Sequence, residues 1–173
     1  MPNYVKTVVQ FKDLKSEDEA NFILNMIAKE TTDDYIIDFD KIIPEPKTIE
    51  ECPKEFILTG SEPIAERDEK PWFNWYDWHM RYWGTKWNAC DCYTDVQTHQ
   101  ITFVFSTAWS VAMPILLKLK MLGFNMFIRW ADEDLGSNCG VIRYHKELGL
   151  WEVHNSDEIE NPEEFAENLW DEY

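Results

Sequence analysis

The residues that could carry chemistry are few, and their spacing does not favour it. Histidines stand at His79, His99, His145 and His154, and cysteines at Cys52, Cys90, Cys92 and Cys139. A structural zinc site takes four convergent ligands, usually from two closely spaced pairs. Cys90 and Cys92 make one CxC around Asp91 without a second pair, and no HxH, HxxxH or HExxH occurs. On an alternating strand the two thiols would share a face and pack there. The four cysteines also lack the spacing of an iron–sulfur motif, so no metal or other cofactor is expected. A serine nucleophile would come with a GxSxG turn; none is present, and Ser106 and Thr107 have no paired base in the sequence. Acid–base work on a small nucleotide would fall to His79, His145 or an acid near Trp87. That is the weakest of three readings, because the carboxylates are too numerous to single out a pair, and no enzyme is expected.

Charge is the stronger signal. The 173 residues carry 33 Asp and Glu against 16 Lys and Arg, a formal net charge of -17. After Lys146 no Lys or Arg follows, while Glu147, Glu152, Asp157, Glu158, Glu160, Glu163, Glu164, Glu167, Asp171 and Glu172 do. Glu45, Glu50, Glu51 and Glu55 form a second acidic stretch, and Asp132, Glu133 and Asp134 a third. Such a surface keeps a small protein dispersed. It also repels phosphate backbones at long range and attracts a basic partner. Carboxylates on a rigid helix can imitate a row of phosphates in the groove of a nucleic-acid enzyme.

The third feature is PWFNWYDWHMRYWGTKWNACD, residues 71–91, in a chain that is 15% aromatic. Trp72, Trp75, Trp78, His79, Tyr82 and Trp83 cover more than one face of a helix, and Trp87 lies beyond its end. Burial of such rings locks a helix onto a sheet. Rings left outside are the residues that dominate protein–protein hot spots, so Trp75, Trp78, Tyr82, Trp83 and Trp87 are the candidate aromatic contacts. Lys86 stands between Trp83 and Trp87 and can stack on either. The glycine-rich run of a phosphate loop is missing.

The elements around these residues read as mixed. Residues 4–11 alternate as a strand. Ser16 with Glu19 three positions on is a capping-box pattern, and Ala20, Ile23, Leu24 and Ile27 share one helical face. Residues 35–43 read as extended up to Pro44 and Pro46, and a loop follows to about Lys70 through Gly60 and Ser61. A helix through the aromatic stretch stops at Gly84. Two strands turn near Thr98 and His99; a helix over 110–122, with Pro114 in its first turn, ends at Gly123. Strands at 124–131, 141–147 and 148–154 precede an acidic helix over 161–170 with Phe165 and Leu169 inward. The expectation is an α+β fold: a ferredoxin-like, antiparallel-rich sheet with helices on one face, an aromatic-rich inserted helix and an acidic C-terminal helix. It forms one domain, 1–173, with a core over about 1–30 and 90–145, an insertion over about 44–89 and an acidic extension over about 147–173.

MPNYVKTVVQF, IDFDKIIPEP, NWYDWHMRYWGTKWNA and FVFSTAW occur in an order that resembles phage- and plasmid-encoded proteins with a YubB ferredoxin-like domain. The most specific stretches are WGTKWNA at 83–89 and STAW at 106–109. Tyr4 and Val5 depart from the Trp and Cys of that pattern. The resemblance implies the ferredoxin-like fold and a mobile-element origin, and implies no reaction.

The leading functional expectation is a non-enzymatic inhibitor of a host nucleic-acid-binding defence protein, of anti-CRISPR or anti-restriction type. The carboxylates from Glu152 to Glu172 would steer it, and the aromatic residues would anchor it in a basic groove. The alternative is direct nucleic-acid binding through Tyr93, Phe103, Phe105, Phe127 and Trp130, which requires Lys118, Lys120, Arg129 and Arg143 to gather. The residues at the start show no secretory signal, and the cytoplasm of a bacterial host is the expected location. Dimerisation through an open sheet edge stays open.

Overall fold

The computed structural model describes residues 3–32, 34–59 and 70–173. Its centre is a six-stranded antiparallel sheet of β1 (Tyr4–Lys12), β4 (Cys90–Gln97), β5 (Gln100–Ala108), β6 (Asn125–Asp132), β7 (Cys139–His145) and β8 (Leu150–Asn155), in the order β4-β5-β1-β6-β7-β8. A separate ribbon pairs β2 (Ala28–Glu30) with β3 (Tyr35–Ile37). The helices are α1 (Glu17–Ile27), α2 (Phe39–Ile42), α3 (Trp75–Tyr82), α4 (Met113–Leu119) and α5 (Pro162–Glu172). The succession β1-α1-β4-β5-α4-β6 is the split β-α-β arrangement of a ferredoxin-like α+β fold, widened by the β7–β8 hairpin.

Central position makes β1 apolar on both faces. Val5, Val9 and Phe11 enter the main core with Phe103, Phe105, Ile128 and Trp130, whereas Val8 meets Val104, Ala131 and Cys139 on the opposite face. Each large side chain taken out of water there contributes about 1.5–3 kcal/mol. Trp130 lies flat over Gly140, its partner across the β6–β7 ladder, where a Cβ would sit 2.1 Å from the ring.

Helices α1 to α4 place apolar residues in the main core. Ser16 accepts from the Glu19 N–H at 3.3 Å, and Glu19 returns to the Lys15 N–H at 2.7 Å, one residue outside the expected box. The buried stripe of α1 is the predicted Ala20, Ile23, Leu24 and Ile27. The acidic helix α5 crosses the other face. It presents the small stripe of Ala166 and Leu169 to Val8, Ala131 and Cys139, with Phe165 and Trp170 half-buried at its sides.

Two boundaries differ from expectation. Residues 35–43 divide, with β3 ending at Ile37 and α2 starting behind Asp38, whose carboxylate accepts from the Asp40 N–H at 3.0 Å. A side-chain cap here outweighs the β-branched run. The helix expected over 110–122 begins at Met113 and closes in a 3-10 turn before Gly123, at φ 75. Lys54–Phe56 form a short 3-10 turn within the expected loop, and Gly60 and Ser61 lie outside the described residues. No helix among the described residues is long and apolar enough to cross a membrane.

Candidate functional site

Helix α3 sorts the aromatic stretch into buried and exposed members. Asn74 caps it by accepting from the Asp77 N–H at 3.2 Å. Trp78 and Trp83 are 3% and 4% exposed and belong to the main core. These two expected partner contacts are therefore corrected to packing residues, because one turn of helix plus the cap at Trp83 puts both indoles against the sheet. Trp83 donates its Nε1–H to the Ile43 carbonyl at 2.9 Å. Tyr82 is half-buried, 4.9 Å from Trp78 and 5.9 Å from Phe56, and Trp75 rests its ring 5.5 Å from His79.

His79 is a buried strut. Its ring stacks on Trp83 at 4.0 Å and 12°. Nδ1–H donates to the Lys86 carbonyl at 2.8 Å, and Nε2 faces Glu45 Oε1 at 3.1 Å. Glu45 also pairs with Lys70 at 2.6 Å. Burial pushes the Glu45 carboxyl up, but the bonds from His79 and Lys70 outweigh it and hold the group below its ordinary value. With both nitrogens engaged inside the wall, His79 has no free edge to offer a substrate, which removes it from the acid–base candidates.

Beyond Gly84 the chain is stapled to the end of β5. Thr85 Oγ1 donates to the Ala108 carbonyl at 2.9 Å and accepts from its N–H at 3.0 Å. Ser110 Oγ donates to the Gly84 carbonyl at 2.5 Å. Gly84 is required at φ 77, where a Cβ would meet Pro114 Cδ at 2.6 Å. The two most specific stretches of the sequence, 83–89 and 106–109, thus meet in one loop pair. They place the half-buried Lys86 and Trp87 beside the exposed Trp109, and α3 adds the exposed Tyr76. The Lys86 ammonium lies 5.1 Å from the centroids of both Trp87 and Trp109, and Tyr76 touches Trp109 at 6.4 Å. Trp109 is 44% exposed and Tyr76 38%. Sequence reasoning missed both. Tyr76 was hidden among its neighbours, and Trp109 looked like the end of a strand.

Trp109 has φ 66, a left-handed backbone that a bulky residue rarely adopts. Its N–H donates to the Asn3 carbonyl at 2.8 Å. On the far side of β1 the Glu133 N–H donates to the Tyr4 carbonyl at 3.0 Å. The β6–β7 turn with its acids therefore lies two strand spacings from Trp109, about 10 Å. In that turn Asp132 is buried, and burial together with Asp134 raises its carboxyl; Glu133 Oε2 accepts from the Tyr4 N–H at 3.0 Å.

The C-terminal acids stay largely in solvent. Asp157, Glu158, Glu160, Glu163, Glu164, Glu167 and Asp171 are exposed, and none forms an ion pair with a Lys or Arg among the described residues, although Asp171 lies near enough to act on the Lys6 ammonium. Glu163, Glu167 and Asp171 follow one another at intervals of four along α5. Two expected acids differ: Glu152 is half-buried on β8 across from Arg143, and Glu172 pairs with Arg129 at 2.7 Å. Acids in the last turn oppose the helix dipole, and Lys6 offsets this by donating to the Trp170 and Tyr173 carbonyls at 3.1 and 2.7 Å. Burial lowers the Lys6 ammonium despite Asp171 and Asp91.

The cations divide between faces. Lys118 and Lys120 belong to the α4 side, with Lys120 over Tyr144 and Trp151. Arg129 and Arg143 join Lys12 around Phe127 on the α5 face, at 5.9, 5.3 and 4.9 Å from the ring centroid. The expected four-residue patch does not form. Of the expected stacking residues, Phe103, Phe105 and Trp130 are in the main core, leaving Tyr93 and Phe127 outside.

The two thiols of the CxC do not share a face. A bulge with Asp91 at φ 48 sets Cys90 opposite Ser106 and Tyr93 opposite Val104, while Cys92 packs against the main core. Burial, Cys90 and the nearby carboxylates push the Cys92 thiol up to about 12, unlike a reactive thiolate. Among the described residues no group of three or more His, Cys, Asp or Glu could hold a metal.

A family model described as a ferredoxin-like domain in Api92-like proteins matches residues 82–171. No curated protein and no solved structure matches the chain.

Proposed function

Since the chain belongs to the family with the ferredoxin-like domain of Api92-like proteins, we propose that it is a non-enzymatic binding protein that docks on a basic nucleic-acid-binding protein. The carrying observation is the row Glu163, Glu167 and Asp171 on α5, exposed and outside any ion pair among the described residues, on a helix fixed to the sheet. Four residues of α-helix advance about 6 Å. A DNA strand carries one phosphate per ~3.4 Å of helix axis, so along its own axis the row supplies about one carboxylate for every two phosphates. The setting we propose is a phage or plasmid in a bacterial cytoplasm, and the target a defence nuclease or RNA-guided effector with a basic groove. Trp109, Tyr76 and Trp87 supply the desolvated anchor. The test is capture of bacterial nucleic-acid-binding proteins by the intact chain at low and high salt. Recovery that falls with salt and with the triple variant Glu163→Gln, Glu167→Gln, Asp171→Asn supports the reading; recovery indifferent to both sinks it.

A second reading rests on Phe127. Lys12 and Arg143 have no ion-pair partner among the described residues and crowd this ring on an otherwise acidic molecule. Single-stranded nucleic acid would use such a site by stacking and phosphate contact. A low-salt gel shift, repeated with Arg143→Gln, decides it: no shift, or one unchanged by the substitution, removes this reading.

A further inference from the structure

The Trp87–Lys86–Trp109 group points to the chemistry of the partner, an inference that rests on the docking function proposed above. Among the described residues Lys86 has no carboxylate partner in a chain with 33 acids, and its ammonium lies instead 5.1 Å from two indoles. Contact with a ring at that distance is a cation–π attraction that changes binding by about a few fold at an exposed site. The second observation is the backbone of Trp109. Its φ of 66 is held by the Asn3 carbonyl, and Thr107 Oγ1 fixes the next residue by donating to the Ser110 carbonyl at 2.7 Å. Strained backbone of this kind clusters at functional sites, where surrounding structure holds it. Here it leaves the indole 44% exposed, so packing does not explain it.

We propose that Trp87 and Trp109 form a cation slot, which Lys86 fills in the free protein and an arginine or lysine of a basic partner takes over on docking. Arginine suits it better than lysine. The guanidinium is planar, stacks on indole faces and sheds its water more readily. The acids of the β6–β7 turn lie two strands away and favour the incoming cation. Lys86 then acts as a placeholder that occupies the slot between the two rings.

The experiment titrates the full chain with a peptide of repeated Arg-Gly-Ser units and with its citrulline counterpart, following the indole N–H signals of Trp87 and Trp109. Lys86→Gln is expected to bind the arginine peptide about threefold or more tightly than wild type, the size of one exposed cation–π contact. Lys118→Gln, an exposed lysine on α4, removes the same charge elsewhere and is expected to change little. Trp109→Phe, checked for an unchanged melting curve, is expected to reverse the gain. Equal gains from Lys86→Gln and Lys118→Gln, or equal binding of the citrulline peptide, would overturn the slot. Peptide binding that depends on Glu163, Glu167 and Asp171 but not on Lys86 or Trp109 would overturn the slot and leave the docking function standing. Absence of binding in every variant would overturn both.

Discussion

The two faces of the sheet are built on different principles. On the α1–α4 face, large rings interlock: Phe39 meets Phe105 at 5.6 Å, Phe11 meets Phe103 at 6.1 Å, and Trp130 occupies the space over Gly140. On the α5 face one helix rests on small residues and is tied at its end by charge, through Lys6 and through Arg129 with Glu172. The first face is held by interlocking volume, the second by a shallow apolar contact beneath the acids of α5.

The comparison breaks most visibly at Trp130. Trp130→Ala is expected to lose about 3–5 kcal/mol in urea unfolding, and Gly140→Ala to destabilise strongly by driving a methyl into the ring. Leu169→Ala should cost less, about 2–3 kcal/mol at the low end of core truncations. Its mark is faster hydrogen exchange in α5 while the sheet stays protected; equal loss of protection in β1 would show the two faces to be one cooperative unit.

Acid separates the faces more finely. Glu45 has a lowered carboxyl in the folded chain, so its contribution is present above the ordinary carboxylate value of 4.5 and is lost as pH falls through the lowered value. Glu45→Gln should therefore flatten the decline in denaturation midpoint that sets in as pH falls below the ordinary value. A decline as steep as in the wild type would show that the contacts with His79 and Lys70 do not matter to folding. The smallest effect is expected at Glu172, lowered chiefly by its bond to Arg129. The carboxylate is largely solvated, so Glu172→Gln should cost about 0.5 kcal/mol or less. That difference should vanish at high salt, as a calorimetric melt would register.

Local order was legible where local forces set it. The stripe of α1, the stop of α3 at Gly84 and the turn between β4 and β5 each follow from periodicity, caps or turn residues within a few positions. The α2 cap at Asp38 was also local, and was masked by the β-branched run around it. The candidate surface was read only in part. The acids of α5 stand in solvent as a run without Lys or Arg implies, but the exposed rings are Tyr76 and Trp109 rather than Trp78 and Trp83. Trp109 is brought to the loop after α3 by the bonds of Thr85 and Ser110, a pairing no short-range pattern contains.

What the sequence determined by itself was the alternation of strands and helices, the place of the acidic helix and the excess of negative charge, because composition and period act over one or two turns of chain. Tertiary structure alone decided which indoles face water, why Cys90 and Cys92 part company at a bulge, and which of the scattered cations meet at Phe127. Each depends on strands distant in sequence lying ~4.8 Å apart, and on a sheet with two faces whose coverings compete for the same few residues.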